Sequence, residues 1–114
     1  MARNNQREQQ IRVWQWNCRE FGKKKGHLHL HIQNAEAKPD IIALQENRGL
    51  VSLANYKTHH QLDVVEKRDL LTATLVHRNI TAIQHKIEGS KADYTLVEVI
   101  PSKKGERNLF ILNL

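Results

Sequence analysis

Apolar and polar positions along this chain fall into short runs, most of them a strand in length. Ile11-Arg12-Val13-Trp14-Gln15-Trp16-Asn17 carries Val13, Trp14 and Trp16, residue types that suit a pleated backbone, and predicts a buried strand over 11–17. Phe21-Gly22-Lys23-Lys24-Lys25-Gly26 reads as a turn, its two glycines free to adopt angles that other residues avoid. His27 to Ile32 alternates with period two, as a strand would, yet Leu28, Ile32 and Ala35 also share one helical face. Gln33-Asn34-Ala35-Glu36-Ala37 tips 27–36 towards helix, ended by Lys38-Pro39, because proline disfavours helical angles in the residue before it. Ile41 to Gln45 is a continuous apolar run, the pattern of a strand covered on both faces.

The rest reads as further strands. Residues 47–55 form a loop, Tyr56 to Gln61 a short strand, and Leu62 to Arg68 a charged, exposed stretch. Thr72 to His77 and Ile80 to His85 flank Arg78-Asn79, a tight turn between consecutive strands. From Tyr94 to Ile100, Tyr94, Leu96, Glu98 and Ile100 take one side and Thr95, Val97 and Val99 the other. Pro101 to Arg107 is a basic connection, and Asn108 to Asn113 a strand of buried type. A sheet that stops on so apolar a strand is edge-exposed or unfinished, so the sequence is expected to end partway through a domain.

The chain has 114 residues, enough for one domain or part of a larger one, and a formal net charge of +6. That balance favours acidic partners, nucleic acid or an anionic surface, and says nothing of fold. Cys18 is the only cysteine, so an internal disulfide is excluded and a reducing compartment fits. No apolar run approaches the ~20 residues of a membrane helix. Residues 1–10 are polar throughout, lack the apolar stretch of a signal peptide, and read as a flexible leader of an intracellular protein.

Candidate chemistry centres on the ends of the first two strands. With a helix between them, Asn17 and Glu46 stand at matching strand ends, where open α/β sheets build their sites. A carboxylate fixed there is a hard oxygen ligand suited to magnesium; a solvated loop carboxylate is the plainer alternative. Asn17 can hydrogen-bond a phosphate oxygen or orient Glu46, or simply form a turn. Arg19, Lys23, Lys24 and Lys25 could touch a phosphate backbone, or be a solvated charge run. His27 and His31 are four apart, as in zinc motifs, but no third ligand has suitable spacing, and surface histidines are the better account. Cys18 reads as a small packed residue behind the site.

At these residues the chain resembles the exonuclease/endonuclease/phosphatase superfamily, and within it the endonuclease domain of non-LTR retrotransposons. The resemblance is carried by Val13-Trp14-Gln15-Trp16-Asn17-Cys18-Arg19 and Pro39-Asp40-Ile41-Ile42-Ala43-Leu44-Gln45-Glu46. Tyr56-Lys57, Ala73-Thr74-Leu75-Val76 and Phe110-Ile111-Leu112-Asn113-Leu114 follow in the same order. It covers residues 11–114 and matches the N-terminal half of that domain.

The resemblance implies an α/β fold, part of a four-layer α/β sandwich of mixed sheets flanked by helices, here truncated. It implies magnesium-dependent cleavage of a phosphodiester, with manganese as a substitute ion, that nicks DNA for target-primed reverse transcription. Glu46 would hold the metal, and Asn17 would belong to the same catalytic metal and phosphate site. A downstream reverse transcriptase domain and a nuclear location for the parent element are further implications.

The chain departs from that pattern in two ways. The later Tyr, Asp-x-Asn and Ser-Asp-His motifs are absent, so activity of this chain alone is not expected. Glu20 stands where related sequences carry glycine, and its carboxylate would repel a phosphate unless it faces away or meets Lys23. A basic nucleic-acid-binding module without catalysis, and a superfamily member acting on a phosphoinositide, a phospholipid or an RNA tail, stay open beside the endonuclease.

Overall fold

The computed structural model describes residues 11–114; the polar segment 1–10 lies outside the described residues. Strand β1 (Val13–Asn17) leads into helix α1 (Phe21–Asn34), which returns the chain to β2 (Ile41–Gln45). Strands β3 (Tyr56–His60), β4 (Thr72–His77), β5 (Thr81–His85), β6 (Thr95–Ile100) and β7 (Leu109–Asn113) follow, with a short 3-10 turn at Lys67–Asp69 between β3 and β4. The strands make two sheets, β1-β2-β4-β3 and β5-β6-β7. Sheet one is mixed: β1 and β2 run parallel, and β4 is antiparallel to both β2 and β3. The second sheet is antiparallel throughout.

The apolar run of β2 makes it a central strand, and Ile41, Ile42, Ala43 and Leu44 are all buried. Alternation sends its side chains to two different cores. Ile42 and Leu44 join Leu75, Ala73, Phe21, Leu28 and Cys18 beneath α1. Ile41, Ala43 and Val76 lie on the other face, towards the second sheet, whose β6 buries Val97 and Val99 and packs on β4 while β7 packs on β2. The described residues therefore form three layers, α1 over one sheet over the other, in an α/β arrangement rich in strand.

Four expectations need correction. Helix α1 begins at Phe21, so the Gly22–Gly26 segment read as a turn is helical. Burial of Phe21 and Leu28 on one face outweighs the poor helix propensity of two glycines, which both lie on the exposed side. Its C-terminus is closed by Lys38, whose ammonium donates to the carbonyls of Ile32 (2.9 Å) and Gln33 (3.4 Å).

Strand β1 is not buried, because it is an edge strand: Val13, Gln15 and Asn17 are exposed and only Trp14 and Trp16 are half-covered. Among the described residues strand β7 likewise has a neighbour on one side only, and Leu109, Phe110 and Leu112 are exposed. The turn at Arg78-Asn79 is present, with Ile80 N–H donating to His77 O at 2.9 Å, but it does not join paired strands. β4 and β5 lie in different sheets, and this turn carries the chain from one to the other. The alternation read in 94–100 holds, with Thr95, Val97 and Val99 buried and Leu96, Glu98 and Ile100 half-buried.

Candidate metal and phosphate site

Parallel pairing of β1 and β2 sets Asn17 opposite Gln45, so the residue after Gln45 emerges beside Asn17. The link from β1 to α1 is laced to the link leaving β2 by three backbone bonds. Cys18 N–H donates to Gln45 O (3.0 Å), Glu20 N–H to Glu46 O (2.7 Å) and Phe21 N–H to Asn47 O (3.0 Å). Glu46 N–H in turn donates to Leu71 O at 2.7 Å. Both backbone polar groups of Glu46 are therefore fixed.

These links are bent hard. Arg19 (φ 47°), Glu20 (φ 85°), Glu46 (φ 56°) and Arg48 (φ 51°) all sit in the left-handed region without being glycine. Such conformations cost ~1–3 kcal/mol each and gather where a site needs side chains aimed in unusual directions. What they aim here is the Glu46 carboxylate: its Oε2 accepts from Asn17 Nδ2 at 2.5 Å. Glu46 is half-buried and Asn17 exposed, so the pair sits at the surface end of the strands.

Support from below comes through Asn113 at the end of β7. Its Oδ1 accepts from Gln45 Nε2 at 2.5 Å, and its Nδ2 donates to Leu44 O and Ala73 O at 3.1 Å each. The hydroxyls of Thr72 and Thr95 meet at 2.8 Å between the same two sheets. Gln61 holds the Leu71 N–H (2.7 Å) and the Thr72 N–H (3.2 Å), next to the carbonyl that fixes Glu46. Gln45 and Asn113 fall within the segments that carry the resemblance but drew no role there, and Gln61, Thr72 and Thr95 did not stand out in the sequence. The available signal was an Asn closing an otherwise apolar strand at 113.

Neither a protein-family model nor a curated protein matches this chain. What the site can do therefore rests on its own groups.

Asn17 and Glu46 are brought together; the basic candidates are brought near them and then diverge. Lys24 is half-buried and close enough to Cys18 to act on it electrostatically, as Glu46 does from the opposite sign. Burial dominates at that thiol, pushes its pKa up and leaves it protonated and inert. Cys18 is fully buried, with Sγ 3.5 Å from Gln45 O, as expected of a packed residue behind the site. Lys23 meets Glu20 at 3.6 Å, which answers the repulsion that a lone Glu20 carboxylate would exert. Lys25 Nζ lies 3.3 Å from Ser52 Oγ, and Arg19 is exposed.

Among the described residues no three of His, Cys, Asp and Glu converge. The donor set is one carboxylate steadied by one amide. That set suits a hard ion that keeps most of its water shell, as magnesium does when bound by one or two carboxylates plus substrate phosphate.

Proposed function

We propose that this chain carries the metal- and phosphate-holding part of a magnesium-dependent phosphodiesterase that nicks DNA. The contact between Asn17 Nδ2 and Glu46 Oε2 carries the reading, because it fixes a carboxylate at paired strand ends without neutralising it. Glu46 would hold magnesium, or manganese in its place, and Asn17 would orient that carboxylate and offer its amide to a phosphate oxygen. A bound ion supplies Lewis-acid stabilisation of charge developing on the phosphoryl oxygens. Lys24, with Arg19, Lys23 and Lys25 around it, supplies positive charge for the flanking phosphates.

Among the described residues, the groups gathered at Asn17 and Glu46 include no candidate for the general base or for the acid at the leaving oxygen. Such help is worth ~10²–10⁴-fold, so turnover needs the later Tyr, Asp-x-Asn and Ser-Asp-His motifs of the retrotransposon-type domain it resembles. In that reading the three layers described here belong to a four-layer sandwich, and the parent protein carries a reverse transcriptase domain and works in the nucleus.

Two measurements test it. Manganese binding to the chain alone, followed by paramagnetic line broadening, should be centred on Asn17 and Glu46 and be lost in Glu46→Gln. Nicking of supercoiled plasmid by the chain joined to a matching C-terminal half should need magnesium and fail in Glu46→Ala; nicking without metal would defeat the proposal. A basic binding module without chemistry is favoured instead if DNA binding proves indifferent both to magnesium and to Glu46→Gln. The net charge of +6 would be enough for that.

A further inference from the structure

We infer that the groove between β1 and α1 receives two unpaired bases of a single-stranded nucleic acid, with Trp14 and Trp16 as the stacking surfaces. The inference rests on the nucleic-acid side of the proposed function and adds a second surface to it, on the opposite face of β1 from Asn17.

Trp14 and Trp16 are the only tryptophans of the chain, lie on one face of β1, and are half-buried, each packed against the core on one side. Together with His27, Leu28, His31 and Ile42 they line a cavity of about 500 Å³. Ile42, fully buried and paired in register with Trp14, forms its floor. His27 and His31 form the far wall and also line a smaller adjoining hollow of about 120 Å³.

Charge marks the occupant as an anion-bearing chain. α1 contains three lysines and three histidines in 14 residues and no Asp or Glu. Lys24, His27 and His31 are spaced i, i+3, i+7 and so share one ridge of α1; His27 and His31 line the groove, and Lys24 extends the ridge towards Cys18. The nearest acid on the approach to the helix, Glu20, is already engaged by Lys23.

Spacing marks the occupant as single-stranded. Residues two apart on a strand are separated by ~6.6 Å, twice the ~3.4 Å rise of stacked bases in a duplex strand. Bases that each rest on one indole are therefore unstacked from one another, as they are on the aromatic platforms of single-strand binders. The ridge of basic groups then lies where the connecting phosphates run.

The two indoles report on the groove directly. Titrating the full chain with a short oligothymidylate should quench tryptophan emission. The same phosphates without bases, in an abasic oligomer, should bind at least about tenfold more weakly and leave emission unchanged. Trp14→Leu and Trp16→Leu should each weaken oligothymidylate binding by about tenfold. If the leucine variants fail to fold, the comparison of oligothymidylate with abasic oligomer on the native chain still decides. Equal affinity for the abasic oligomer or for a blunt duplex overturns the inference, as does an emission shift produced only by anionic lipid vesicles. Metal binding lost in Glu46→Gln alongside absent oligothymidylate quenching would sink the groove and leave the proposed function standing. Quenching without any metal binding would do the reverse.

Discussion

Gln45 and Asn113, 68 positions apart in sequence, share a hydrogen bond of 2.5 Å that couples the candidate site to the second sheet. Gln45 is the last residue of β2 and Glu46 follows it, so whatever fixes Gln45 limits how far Glu46 can drift. The buried amide of Asn113 also donates to two main-chain carbonyls, one on β2 and one on β4. It acts as a bolt between the layers, beside the Thr72–Thr95 hydroxyl pair and the Gln84 amide on His60 O.

Asn113→Ala should therefore destabilise the fold by about 3 kcal/mol, since it strands buried acceptors and the Gln45 amide at once. Asn113→Asp, of the same size, should be at least as damaging, because it turns an oxygen towards Leu44 O and Ala73 O. Urea midpoints of the two variants measure this. A loss under about 1 kcal/mol for both would mean that the amide is not holding the sheets together.

Glu20 sits at φ 85°, ψ 86°, a conformation that suits glycine and strains every residue with a Cβ. Its ion pair with Lys23 is exposed and contributes little in return. Glu20→Gly should raise stability by about 1 kcal/mol. An unchanged or lower urea midpoint would show that the strain at position 20 is not stored there.

A Cβ added at Gly26 meets nothing within 4 Å, and the residue lies inside α1. Gly26→Ala should stabilise by about 1 kcal/mol, the ordinary difference between the two in an exposed helix interior. Helix content by circular dichroism should not fall. A destabilised variant would mean that 21–26 is less regular in solution than its hydrogen bonding indicates.

His59 and His60 give the fold a pH dependence. Burial pushes both pKa values below the ordinary histidine range. His60 Nε2 also accepts from the Val51 N–H at 2.9 Å, which requires that nitrogen to be unprotonated. The unfolded chain takes up these protons first, so stability is complete above pH ~6.5 and declines as pH falls through the lower folded-state values. Urea midpoints should drop between pH 7.5 and pH 5. The drop should shrink in a His59→Gln, His60→Gln double variant; a drop of the same size there would assign it to other groups.

Sequence patterning reached those parts of the molecule that local chemistry decides. The run 41–45 is apolar on both faces and is buried on both, and the alternation of 94–100 matches its inner and outer sides. The parallel ends of 13–17 and 41–45 bring Asn17 to Glu46 as their spacing suggested. The start of α1 was hidden because Gly22 and Gly26 mimic a turn. What holds the first helical turn is remote, Phe21 N–H on Asn47 O and the burial of Phe21 itself. Sheet membership of β4 and β5 was hidden for the same reason. The turn at 77–80 looks alike in a hairpin and in a crossing between sheets, and the deciding contacts, such as Gln84 Nε2 on His60 O at 2.6 Å, span the chain.

The outer side of β7 carries Phe110 and Leu112 into solvent, beside Ile83 on the same face of the second sheet, and its far edge is unpaired among the described residues. A flat, apolar, unguarded strand margin is where one copy templates the next. A gatekeeping charge such as Leu112→Lys should slow fibril seeding, and the same edge that courts a second copy is the one that braces Glu46 through Asn113.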